Sequence, residues 1–182
     1  MPLKIIIAPT IEPITLTQAR VALQLDADNT ADNTHIEDVL IPGARAEAEQ
    51  ETGLALILRT LELGLDEFPG ADPIPLVAPL VAITSVKYYD TAGVLQTLDS
   101  ATYLLDEHSK PPRLYLAPDQ VWPSTQARSN AVLVRFTAGV ALSTDVPKNI
   151  KAYMLAHIKA AYRGESLGPF VVRLLDSSKV YA

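Results

Sequence analysis

Apolar residues recur at helical spacing in two stretches near the start of the chain. Leu16, Ala19 and Leu23 form one stripe; Ile36, Val39, Leu40, Gly43 and Ala46 form another. Three-to-four-residue recurrence is the mark of an amphipathic helix. Thr15 with Gln18, and Thr34 with Glu37, have the spacing of a capping box, in which hydroxyl and amide or carboxylate satisfy the first free backbone donors. Residues 26–33 between them are polar and compete for their own backbone hydrogen bonds, which predicts a loop. Gly53 sits where the second helix needs a left-handed residue to stop. Pro42 falls inside the pattern, removes one donor and predicts a kink.

From about residue 54 the period changes to two. Leu61, Leu63 and Leu65 alternate with Thr60, Glu62 and Gly64, as in a half-buried strand. Residues 81–90 and 94–98, joined by Asp90-Thr91-Ala92-Gly93, predict a hairpin. Residues 103–106 and 113–116 are shorter strand candidates, and Val132, Val134 and Phe136 alternate again. Prolines gather between these runs, which suits loops and edges of an antiparallel sheet. After Ala138-Gly139 the helical period returns, with Asp145 as expected N-cap and Ile150, Tyr153, Met154, His157, Ile158 and Ala161 as the apolar stripe up to Gly164. The expected class is α+β. Residues 1–53 and 140–167 form a helical core from both chain ends, residues 54–139 an inserted antiparallel β subdomain, and residues 168–182 a separate apolar tail.

That tail carries Phe170, Val171, Val172, Leu174 and Leu175, then Lys179 and Tyr181. So apolar a segment packs on its own domain or on a partner. Gly43, Ala44, Ala46 and Ala48 give the second helix little side chain, which permits close approach by its own core or by a neighbouring subunit.

Composition narrows the function. Of 182 residues, 15 are basic and 21 acidic, a net charge of −6. This disfavours sequence-independent nucleic-acid binding, which needs cations to displace counterions. With no cysteine, neither a disulfide framework nor a thiolate metal site can form. The apolar run at residues 3–8 is too short for a signal segment, and the longest such run, residues 76–83, is interrupted by Pro79. A soluble protein with no membrane partner is expected.

The best cluster for chemistry is Asp106-Glu107-His108. Neighbours on an extended segment point to opposite faces, so they make a poor dyad, and a solvated loop tip is the expectation. His157 lies on an apolar stripe, and His35 has only Asp32 and Asp38 nearby. No phosphate-binding glycine loop, nucleophile elbow or zinc motif occurs. No catalytic residue, metal or cofactor is expected.

The order of these pieces resembles the head–tail connector, or neck adaptor, family of long-tailed bacteriophages and related prophage elements. The resemblance is carried by Pro13-Ile14-Thr15-Leu16 with Ala19 and Leu23, and by the second helix through Ala44-Arg45 to Thr52-Gly53. It continues in residues 61–66 with Phe68-Pro69, in Trp122-Pro123 followed by residues 134–139, and in Val146-Pro147 opening the last helix. It implies a structural virion protein, not an enzyme: a ring, commonly of twelve copies, beneath the portal protein, extending the DNA channel and meeting the next neck or tail component. DNA would pass without specific binding. The protein would be assembled in the host cytoplasm and reside in the virion neck. The tail residues Phe170, Val171, Val172, Leu174, Leu175, Lys179 and Tyr181 would dock on a partner, and Gly43, Ala44, Ala46 and Ala48 would face another subunit. A hydrolase using Asp106, Glu107 or His108, or a chaperone or regulatory binding module, stands as the alternative.

Overall fold

In the computed structural model, which describes residues 2–180, Thr15 caps α1 (Leu16–Leu23) as its spacing predicts. Its hydroxyl accepts the Gln18 amide at 3.2 Å, and the Gln18 side chain accepts the Thr15 amide at 3.0 Å. The chain divides into a helical unit, Pro9–Ile57 with Val140–Val180, and a sheet unit made of the residues up to Ala8 with Leu58–Gly139.

In the helical unit, the second helical run has three parts: α2 (Asn33–His35), a π-helical stretch (Ile36–Leu40) and α3 (Ile41–Thr52). It starts two residues earlier than predicted, so Thr34 lies inside it and the Thr34–Glu37 capping box does not cap it. Asp32 precedes the first turn without bonding a helix amide; its carboxylate accepts the Tyr162 hydroxyl at 2.6 Å. Pro42 explains the π-helical stretch. It has no N–H to offer the Asp38 carbonyl, and the Ile41 amide reaches back five residues to the Ile36 carbonyl. The expected kink is thus a widened turn. The run ends at Gly53, left-handed at φ 72°.

Arg20 holds the polar loop before this run. Its guanidinium donates to the Asp26 and Ala27 carbonyls at 2.7 and 3.0 Å and to the Asn33 side chain. The last long helix, α4 (Lys148–Arg163), is preceded by Pro147 in the cap position. Asp145 closes a short 3₁₀ turn (Ser143–Asp145) and is not its N-cap. Ala19, Leu23, Ile36, Ile41, Ala44, Ala48, Ile150, Tyr153, Met154 and Ile158 share one core. Arg45 is held beside it by Glu12 at 2.7 Å and Glu49 at 3.2 Å.

The tail is not a separate segment. A single turn α5 (Pro169–Val172) and a 3₁₀ stretch (Arg173–Ser178) lie on the helical unit, with Leu175 fully buried in its core. Asn149 donates to the Leu174 carbonyl at 2.7 Å, Lys179 pairs with Asp176 at 3.1 Å and Glu51 at 3.8 Å, and the Val180 amide bonds the Thr52 carbonyl at 2.8 Å.

In the sheet unit, β1 (Leu3–Ile7) pairs antiparallel with β2 (Arg59–Leu65). The first residues therefore belong to the sheet and not, as expected, to the helical core. The larger sheet runs β1-β2-β8-β4-β5, adding β4 (Leu80–Tyr89), β5 (Leu95–Thr97) and β8 (Val132–Ala138). A smaller one runs β3-β7-β6, from β3 (Ile74–Pro75), β6 (Tyr103–Asp106) and β7 (Arg113–Leu116). Register follows the alternation: Leu61 faces Phe136, Leu63 faces Val134, and on the other face Glu62 pairs with Arg135 at 2.6 Å. A one-residue slip would exchange these faces. Trp122 stacks on Phe68 with ring centroids 4.6 Å apart and donates its indole N–H to the Gly70 carbonyl at 2.8 Å. No helix among the described residues is long and apolar enough to cross a membrane.

Candidate functional site

The Asp106-Glu107-His108 segment begins at the last residue of β6, and its geometry is that of a turn. The Asp106 carboxylate accepts the Ser109 hydroxyl at 2.6 Å and the amides of His108 and Ser109 at 2.9 and 3.1 Å. These bonds, the Ser109 hydroxyl foremost, hold its carboxyl below the usual carboxylate range. Both its oxygens accept hydrogen bonds within the turn, while Glu107 and His108 are exposed. A carboxylate so engaged is a weak base and is not aimed at a substrate.

His157 lies on α4 with its ring 6.0 Å from Tyr153, and its buried Nδ1 has no hydrogen-bond partner. His35 is exposed at the end of α2. Among the described residues, no group of three or more His, Asp or Glu side chains could hold a metal ion. An open cleft of about 500 Å³ in the helical unit is lined by Thr10, Ile11, Glu12, Leu16, Glu37 and Ser143 among others. Apart from its two carboxylates it has no titratable group, and the Glu12 carboxylate is engaged by Arg45.

Of the four small residues on the second helical run, Ala44 and Ala48 are buried in the unit's own core and are unavailable to a neighbour. Gly43 and Ala46 are exposed. The helix turns one small-residue stripe inward and another outward, a distinction invisible in composition alone. The tail residues separate in the same way. Leu175 is core, Val171 and Val172 pack against it, and Lys179 is tied to Asp176 and Glu51. Phe170 is 77% and Leu174 38% exposed, with the Arg173 guanidinium 5.6 Å from the Phe170 ring centroid. Tyr181 lies outside the described residues.

The structure adds a surface that reading α4 for its apolar stripe missed. Lys148, Lys159 and Arg163 fall on the side of α4 away from Ile150, Met154 and Ile158, Lys151 lies at the edge of the buried stripe, and α4 carries no acidic residue. Counting charge by segment would have found it. Residues 9–57 hold nine acidic and two basic side chains, residues 140–180 three acidic and six basic.

Neither known protein-family models nor curated proteins match the chain. Solved structures do. The whole chain is similar, at 25% identity and a TM-score of 0.83, to 97% of a chain in the virion of a native gene transfer agent particle. It is likewise similar, at 25% identity and a TM-score of 0.84, to 97% of a chain in the neck of an empty gene transfer agent particle computed with C6 symmetry. A chain in the neck of the native particle, computed with C12 symmetry, shares the fold at 24% identity and a TM-score of 0.71. The likeness covers both units.

Proposed function

We propose that this protein is a structural component of the neck of a phage-like particle. The observation that carries the proposal is the match of the entire chain, helical and sheet units together, to chains of a gene transfer agent virion and neck. A shared fold alone would not suffice, because folds host unrelated functions. Here the site chemistry agrees: the one cluster that could have suggested catalysis is spent on a turn.

In finer terms, the protein acts as an adaptor between head and tail. Copies form a ring, of twelve in keeping with the C12 symmetry of the similar neck, beneath the portal protein. The ring extends the DNA channel and presents a surface to the next neck or tail component. It is assembled in the host cytoplasm, and it works without catalysis, cofactor or metal. The net charge of −6 favours passage of DNA without adhesion, since like charges repel phosphate. Phe170 and Leu174, left outward by a tail whose other apolar residues face the core, are the side chains offered to the portal. Gly43 and Ala46 face a neighbouring copy.

Electron cryomicroscopy of purified particles, with subunit counting by quantitative mass spectrometry, tests this reading. The expected result is a ring at the neck, with copy number in fixed ratio to the portal. Absence of the protein from homogeneous particles would overturn it.

A further inference from the structure

We infer that the acidic outward side of the second helical run and the basic outward side of α4 are the two halves of a head-to-tail contact between copies of this chain. Glu37, Asp38 and Glu47 are exposed on the first; Lys148 and Arg163 are exposed, and Lys151 and Lys159 half-buried, on the second. None of the four cations is paired with a carboxylate among the described residues. Two opposite fields kept apart on one unit attract across copies, and steering of this kind raises encounter rates and fixes orientation.

Shape supports the same occupant. Between the acids lie Gly43 and Ala46, and between the bases lie Ala152 and Ala156. Among the described residues nothing explains Gly43: a Cβ there would meet no atom within 4 Å, and its backbone is not left-handed. A glycine with no such duty destabilises a helix relative to alanine. A close-packed neighbouring helix would account for it.

Both helices turn their buried stripes into one core, and the acidic and basic sides are borne by different helices. Each copy can therefore offer its acidic side to one neighbour and its basic side to another. Such a heterologous contact generates a ring when the rotation closes, whereas a self-complementary patch stops at a dimer. The inference rests on the neck reading for closure into a ring, but not for the contact itself.

Zero-length carbodiimide cross-linking tests it on the purified full-length chain. An equal mixture of ¹⁴N- and ¹⁵N-labelled protein at low salt is coupled, and linked peptides are mapped by mass spectrometry. The expected result is a ladder extending past the dimer, with mixed-isotope links joining Lys148, Lys151 or Lys159 to Glu37, Asp38 or Glu47, and its loss at high salt. A chain with Lys148→Glu, Lys159→Glu and Arg163→Glu loses the ladder alone. So does one with Glu37→Lys, Asp38→Lys and Glu47→Lys, and mixing the two restores it. The wild-type map needs no variant, so it decides the matter even if a variant misfolds. Absence of intermolecular links, or a ladder ending at the dimer, overturns the inference. So does an α4 variant that keeps the ladder but loses retention of duplex DNA, which would make that side a phosphate surface. Failure of the neck reading shows separately, as absence of the protein from particles.

Discussion

Replacing Leu175 by alanine tests whether the C-terminal segment belongs to the helical core. Leu175 has no exposed surface and sits in the cluster formed by α1, α3 and α4. Losing a fully buried leucine forfeits its transfer free energy and leaves a cavity, together about 3–5 kcal/mol. For a chain of this length each kcal/mol moves Tm by about 2–4 °C, so Leu175→Ala should melt roughly 10 °C below wild type. Phe170→Ala, five residues away but 77% exposed, is the control and should stay within about 0.5 kcal/mol. Thermal melts followed by far-ultraviolet circular dichroism supply the comparison. Urea titrations accompany them, and an unchanged slope there would mean that stability alone has moved. If Leu175→Ala melts like wild type, the segment is a free arm and its packing carries no weight. Truncation after Ser166, which removes Leu175, Val171 and Val172 together, should then be equally harmless. If the reasoning holds, it unfolds the protein.

Joint replacement of Asp106, Glu107 and His108 by alanine should leave particle assembly and infectivity intact; a loss of infectivity with the protein still incorporated would restore a chemical role to that loop. The Tyr162 hydroxyl is pushed up, first by its hydrogen bond to Asp32 and then by burial. A raised value favours the neutral phenol in the folded state. The stabilisation is therefore complete below the ordinary value of 10.0 and lost as pH rises through the higher folded value. Burial also raises the Tyr103 and Tyr153 hydroxyls, so alkaline titration at the phenolate absorbance should show a late-ionising group of tyrosines that Tyr162→Phe reduces by one. Trp122→Ala loses the stack on Phe68, worth about 0.5–1.5 kcal/mol beyond the area buried. Chemical denaturation followed by tyrosine emission should show the sheet unit weakened by at least that amount, and an unchanged midpoint would mean that the stack is idle.

Local devices were the legible part of the chain. Thr15 with Gln18 caps α1, and Gly53 and Gly164 end their helices, because each acts through neighbours in sequence. Alternation located β2 and β8, and the turn at Asp90-Thr91-Ala92-Gly93 located β4 and β5, for the same reason. What escaped depended on distant partners. Leu3–Ile7 has no alternation of its own and becomes a strand only because β2 accepts it some sixty residues later. Asp32 is drawn to Tyr162, 130 positions on, and not to the helix amides beside it. Whether an alanine on the second helical run faces core or solvent was likewise unreadable, since Pro42 displaces the helical phase at its midpoint.

That displacement makes the second helical run a joint of fixed angle. A π turn holds one residue more than an α turn, so whatever precedes it is rotated about the helix axis by about 100°, one α-helical step. Deleting a single residue among Glu37, Asp38 and Val39, with Pro42→Ala to restore the missing donor, would straighten the count into an unbroken α-helix. Ile41, Ala44 and Ala48 would keep their seats, and Ile36, now four residues before Ile41, would keep its carbonyl on the Ile41 amide and its place in the core. The wide turn thus absorbs one surplus residue and lets the run present a single buried face across it.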